Sequence, residues 1–312
     1  MLFYINLLKD LVIFLRGKME NIAVFAHFDK DNLIDDYVIY YLKELKKVSE
    51  KIIFVSDCNL SEDELVKLDG IVDFHIAQKH GEYDFGSYKR GYNLAKEKGF
   101  LATAKTLSFV NDSCYGPFES LESIYKKMNA KDCDFWGLTG NNNYLEGKYY
   151  PCEESNNKHV QSYFLVFKNQ VLNSKIFDDF ISSISHIDNK FKIIELYEIG
   201  LTTKLCQSGF KYCCFFKNDI GTLNLKDILC KDEKPFVFMK VSLLKEVYFI
   251  KLLKTFIKKI KCNYDPTILI NNLKRIRCFK QFKFKYFRKQ VVRIHFNKKR
   301  IFIFGRWFCY GK

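Results

Sequence analysis

Tyr83-Asp84-Phe85-Gly86-Ser87-Tyr88-Lys89 and Asn111-Asp112-Ser113-Cys114-Tyr115-Gly116-Pro117 stand on either side of one predicted helix, and each follows a strand-like stretch. An open α/β sheet gathers its ligand at the carboxyl ends of its strands. Polar residues and glycines at two such exits therefore point to an α/β domain with a ligand site rather than to a bare scaffold.

Working outward, Asn21–His27 is a short apolar run, and Ile34–Val48 has helical spacing through Ile34, Val38, Tyr41, Leu42 and Leu45. Lys51–Ser56 is a second apolar run, Ser61-Glu62-Asp63-Glu64 carries the Ser-x-x-Glu capping box, and Ile71–Ile76 is a third predicted strand. Tyr88–Lys98 reads as helix, Lys105–Val110 as a fourth strand and Leu121–Met128 as helix. Asp134–Gly137 leads into a polar loop from Asn141 to Lys158. A strand at Gln161–Phe167 and helices at Ile176–Ile184 and Ile199–Ser208 follow. Strands alternating with helices predict a Rossmann-type, mostly parallel sheet flanked by helices. No repeat of 20–50 residues and no Gly/Ser-rich or Pro-rich linker is present.

Of the 312 residues 48% are hydrophobic, ample for a packed core. The formal charge of +15 is unevenly placed. Residues 251–312 hold 19 Lys and Arg against one acid, Asp265, so this tail carries +18 and residues 1–250 carry −3. Basic residues interleaved with aromatics, as in Phe282–Arg288, suit an anionic leaflet, nucleic-acid phosphates, or a solvated basic face. Eleven cysteines without a C-x-x-C pair read as buried thiols of a reducing, cytoplasmic compartment. Residues 1–18 are apolar but broken by Asn6, Lys9 and Asp10, which fits neither a spanning helix nor a signal peptide. The expected division is an amphipathic lead-in at 1–18, a main domain at 19–246 and a basic, aromatic-rich region at 247–312.

The strand-exit residues suit a nucleoside diphosphate sugar. His27, Asp29 and Asn32, with Asp57 one strand later, can meet base and ribose, although Asp29 or Asp57 taken alone is more often a helix cap or turn residue. Gly86 allows close backbone approach beside Asp84, Ser87 and Lys89, and the helix that follows offers N–H groups to phosphate oxygens; the alternative is a plain strand-to-helix turn capped by Asp84. Asn111 and Asp112 end the fourth strand, where a carboxylate can bind a divalent cation, Mn or Mg, that bridges phosphates. Glu198 is the candidate base for an acceptor hydroxyl, with His159 its rival.

On these residues the chain resembles the rhamnan synthesis F family of bacterial polysaccharide glycosyltransferases. The likeness is carried by Ala26-His27-Phe28-Asp29 with Asn32, Tyr83–Lys89, Asn111–Ser113 with Tyr115-Gly116-Pro117, Asp134–Gly137, His159–Phe164 and Tyr197–Thr202, in the family's order over roughly residues 21–246. The order is also similar to family 2 transferases of the GT-A type, with Asn111–Ser113 at the metal motif and Glu198 at the base. The chain departs at Asn111 and Ser113, where that pattern has a flanking acid.

The resemblance implies a GT-A-like fold and a nucleoside diphosphate sugar donor, dTDP-rhamnose among the candidates. It also implies a growing cell-surface polysaccharide or lipid-linked glycan as acceptor, and inversion through one base. The tail would then place the enzyme peripherally on the inner face of the cell membrane. A nucleic-acid-binding protein built on the tail, and a catalytically inactive sugar-nucleotide-binding module, are the contrasting expectations.

Overall fold

The computed structural model describes residues 21–141, 159–216, 237–242 and 264–276, with the backbone of three further strands between 292 and 309. The predicted lead-in at 1–18, most of the predicted loop and most of the basic region lie outside them. Among the described residues no helix is long and apolar enough to cross a membrane.

The chain opens with β1 (Asn21–His27), buried along its whole length, then α1 (Asp36–Lys46) and β2 (Lys51–Ser56). A short helix α2 (Glu62–Leu65) precedes β3 (Phe74–Ala77), and α3 (Tyr83–Glu97) precedes β4 (Thr106–Asn111). Next come β5 (Cys114–Tyr115), α4 (Leu121–Asn129), β6 (Phe135–Gly137), β7 (Gly140–Asn141), β8 (His159–Val160) and β9 (Phe164–Lys168). After α5 (Asn169–Leu172) and α6 (Lys175–Ser183), a helix runs from α7 (Lys190–Ile193) through a π-helical stretch (Ile194–Ile199) into α8 (Gly200–Gln207). Strands β10 (Tyr212–Cys214) and β11 (Met239–Lys240) and a helix α9 over 266–276 follow. The strands β12 (Val292–His295), β13 (Arg300–Ile303) and β14 (Arg306–Cys309) form a separate antiparallel sheet.

The main sheet has seven strands in the order β10-β6-β9-β4-β1-β2-β3. The central strands β3, β2, β1 and β4 are mutually parallel, while β9 runs antiparallel to both β4 and β6. Strands covered on both faces read as continuous apolar runs. That is why Ile22–Ala26 and Ile52–Val55 are uniformly buried. One face packs Val38, Tyr41 and Leu42 of α1 with Ile124 and Tyr125 of α4. The other packs Tyr88 and Tyr92 of α3 against Phe109, Phe167 and Phe177. Gly91 makes the second contact possible, since a Cβ there would sit 2.3 Å from a methyl of Val24 in β1.

The mostly parallel α/β reading holds, and several local expectations change. Helix α3 begins at Tyr83, not Tyr88, so Gly86 is no pre-helical turn. It is buried within the helix, and the space above its Cα is filled by Glu82 and His80 rather than left for a ligand. The capping box does not form: Ser61 makes no side-chain cap, and Glu64 instead accepts from Ile34 N at 2.6 Å and pairs with Lys67. Strand β3 starts at Phe74 because Asp73 accepts from Ile52 N and from Lys46 and Lys51.

Helix α9 lies beyond residue 246 and yet packs into the body. Leu269 and Leu273 are buried in the α1–α4 face, and Tyr264 meets Tyr40 and Phe118 edge-on.

Candidate functional site at the strand edge

The chain passes from β1 outward to β2 and β3, then returns to place β4 on the other side of β1. That reversal makes the carboxyl ends of β1 and β4 the switch point of the sheet, where open α/β folds bind ligands. His27 and Phe28 leave one strand there, Asn111 and Asp112 the other.

Asp112 turns inward. Its Oδ2 accepts from Phe28 N at 2.9 Å and lies 3.8 Å from His27 Nε2. Burial, with Asp84 and Asp29 adding like charge, pushes its carboxyl well above the usual carboxylate range. Burial likewise lowers His27 to about 4, so its imidazole is neutral near pH 7 and gives Asp112 no counter-charge. His27 Nδ1 shares a hydrogen bond of 2.9 Å with Ser56 Oγ.

Asp84 reaches the same place from the first turn of α3. Its Oδ2 accepts from Asn111 Nδ2 at 2.7 Å. Burial and then the neighbouring Glu198 raise its pKa to about 6. Glu198, in the π-helical stretch, accepts from Ser162 N at 2.8 Å through Oε1, which lies 3.9 Å from His159 Nε2. Tyr88 closes the set from beneath, donating to Ser162 O at 2.9 Å. Asp84, Asn111, Asp112, His159 and Glu198 are thus brought to one edge by four different elements.

Other predicted residues lie apart from this set or are already engaged. Lys89 donates to the carbonyls of Ser182 and Ile184 at 2.9 and 2.6 Å. Asp57 Oδ1 accepts from His80 N and Gly81 N, and Ser87 Oγ meets His80 Nε2 at 3.0 Å. These contacts fix the turn that enters α3. Asn32, at φ 56°, closes a turn by donating to Asp29 O.

Asp29 is bound by a residue that sequence reasoning missed. Arg275 of α9 donates to Asp29 at 2.6 Å, to Asp31 at 3.1 Å and to Asp35. Burial pushes the Asp29 carboxyl up, but the hydrogen bonds and charge of Arg275 outweigh this and hold it below its ordinary value. The only hint in the sequence is the run of acids from Asp29 to Asp36, with no local cation sufficient to balance it. Of the exposed aromatic rings on this side, Phe28 (57% exposed) and Tyr83 (44%) stand in stretches the sequence singled out, while Phe191 (69%) was missed.

A hard divalent cation needs oxygen ligands. Among the described residues no group of three or more His, Cys, Asp or Glu is placed to hold a metal. The residues fit only a cation that takes one or two carboxylates, from Asp112 and Asp84, and completes its shell with phosphate oxygens and water, as Mg commonly does.

A family model described as Rhamnan synthesis protein F matches residues 52–300. The virulence protein VirA of Vibrio anguillarum is 28% identical over 186 residues, 58% of this chain and 55% of that protein. The chain spans about half the length of the curated relatives it matches. Among solved structures, Staphylococcus aureus TarS 1–349 is similar over 83% of this chain and 69% of its own, with 10% identity and a TM-score of 0.39. Core-mannan synthase A of Aspergillus fumigatus, in its Mn/GDP form, is similar over 52% and 63%, with 11% identity and a TM-score of 0.33.

Proposed function

The chain belongs to the rhamnan synthesis protein F family, and from that premise we propose that it is an inverting glycosyltransferase of the GT-A type. It moves a sugar, rhamnose being the first candidate, from a nucleoside diphosphate donor to a hydroxyl of a growing cell-surface or lipid-linked glycan. The observation that carries this reading is the meeting of Asp84, Asp112 and Glu198 at the β1–β4 switch point, without a Lys or Arg ion pair among the described residues.

In this reading Glu198 removes the acceptor proton. Ser162 N–H fixes one carboxylate oxygen, which orients the other, and buried His159 positions Glu198 rather than serving as the base. The acceptor oxygen forms its bond to the anomeric carbon as the bond to the diphosphate breaks. One displacement inverts the centre and needs one base. Asp112 and Asp84 would hold a divalent cation, which when bound supplies positive charge to the departing diphosphate. Asp29, aligned by Arg275, and His27 lie where the nucleoside would sit. The basic residues beyond 276 would hold the protein to an anionic leaflet, each cation near the surface adding about 1 kcal/mol.

The test is Glu198→Gln. Transfer should fall ~10²–10⁴-fold, while the thermal shift given by nucleoside diphosphates and dTDP-rhamnose, with and without manganese, is retained. Undiminished turnover would refute the assignment.

A further inference from the structure

We propose that Tyr83 and Phe191 form an aromatic platform that seats a pyranose ring of the acceptor glycan beside Glu198. The inference rests on the transferase reading above and adds to it where the acceptor lies and what holds it.

Tyr83 has φ 57°, a left-handed conformation that a bulky L residue adopts only when its surroundings impose it. Here they do. His80 N and Gly81 N donate to Asp57 Oδ1, Glu82 N donates to His80 Nδ1, and the Glu82 carboxylate pairs with Arg90. Asp84, on the other side, accepts from Asn111. Its neighbours are tied by polar contacts, while the Tyr83 side chain makes no hydrogen bond or ring contact among the described residues. Glycine would suit this backbone, yet the position holds a tyrosine whose side chain is turned out, directly before Asp84.

Phe191 comes to the same side by a separate route. His186 Nδ1 meets Gly81 O at 2.9 Å, which ties the segment before α7 to the turn before Tyr83. Asn189 Oδ1 then accepts from Phe191 N at 2.8 Å to start α7, and Lys190 is near enough to Asp84 to draw its pKa down. The same helix continues to Leu196, 47% exposed, and to Glu198. Contiguous exposed apolar surface rimmed by polar groups marks binding sites, whereas singly exposed apolar side chains do not.

A saccharide fits this surface better than a nucleobase. The C–H faces of a pyranose are weakly positive and rest on the negative face of an aromatic ring. The hydroxyls at its edge can reach the carboxylates behind. A nucleobase belongs instead with the β1 exit, on the Asp112 side of the edge. An acceptor lying across Tyr83 and Phe191 would present a hydroxyl toward Glu198.

The experiment uses the full chain and a short rhamnan trisaccharide, with binding followed by ligand-observed NMR and dTDP binding followed by thermal shift. Tyr83→Phe should bind the trisaccharide as the wild type does. Tyr83→Gly and Phe191→Ala should each weaken it at least fivefold. Glycine relieves the left-handed backbone, so Tyr83→Gly should melt no lower than wild type and keep its dTDP shift. Undiminished trisaccharide binding in both Tyr83→Gly and Phe191→Ala overturns the platform, as does a wild-type protein that shifts with dTDP but does not bind the trisaccharide. A wild type with neither a dTDP shift nor transfer sensitive to Glu198→Gln overturns the transferase reading itself.

Discussion

Two groups of carboxylates occupy the carboxyl edge of one sheet, and the fold treats them in opposite ways. Asp29, Asp31 and Asp35 gather around the guanidinium of Arg275. Asp84, Asp112 and Glu198 converge among an amide, two backbone N–H groups and neighbouring imidazoles, with Lys190 close enough to act on Asp84 but with no Lys or Arg ion pair among the described residues. Arg275 brings Asp29 down, although burial still leaves Asp35 raised; in the second group both Asp84 and Asp112 are raised. Compensated charge stabilises structure. Buried like charge left without a paired cation is held in place by the rest of the fold, and it is where a cationic or proton-donating ligand would find its strongest interaction.

The contrast can be broken most directly at Glu198. If the second group is chemical, Glu198→Gln removes nearly all transfer, a loss of ~10²–10⁴-fold, with little change in the denaturation midpoint. Arg275→Met probes the first group and should act on stability first, with nucleoside binding weakened only through the loosened Asp29. Removing one partner from a fully buried ion pair costs about 3–5 kcal/mol; this cluster is half-buried, so a loss of about 1–3 kcal/mol is expected, and the added substitution Asp35→Asn should recover part of it. A loss below about 1 kcal/mol in urea denaturation would mean that solvent already screens the cluster.

Asp84→Asn sharpens the comparison through pH. The folded carboxyl titrates at about 6 against an ordinary value of 3.8, so between these values the native state binds the extra proton, and stability falls as pH rises through the window. The asparagine variant should therefore be more stable than wild type by about 1–3 kcal/mol at pH 8, with water on the open side of Asp84 screening part of the effect. The gain should vanish near pH 4; an equal gain at both pH values would assign the effect to packing. The smallest effect is expected at Lys89, whose ammonium already meets two carbonyls. Lys89→Met should cost about 1 kcal/mol and leave the dTDP shift unchanged. Loss of that shift would return Lys89 to the donor site.

The sheet was legible because its central strands are buried on both faces and so read as unbroken apolar runs, as at Ile22–Ala26 and Ile52–Val55. The fourth-strand exit at Asn111-Asp112 was legible for the same reason, since the apolar run ends where the polar residues begin. Local patterns failed where a distant partner outbid the local one. Glu64 satisfies Ile34 N, thirty residues away, rather than its own helix start. Gly86 resembles a turn glycine, but the contacts of Asp57 and His80 start the helix before it. Arg275 could not be assigned at all: in sequence it is one cation among many in a basic region, and only the packing of Leu269 and Leu273 aims it at Asp29.

The reach of that arginine has a bearing on synthesis. A ribosome releases β1 and its acidic exit some 240 residues before the guanidinium that meets them. Until α9 emerges, the acids at the first strand's edge have only the local Lys30, paired with Asp31, to offset them. A sheet that forms before then does so without its cation, and docking of α9 relieves the repulsion among these carboxylates.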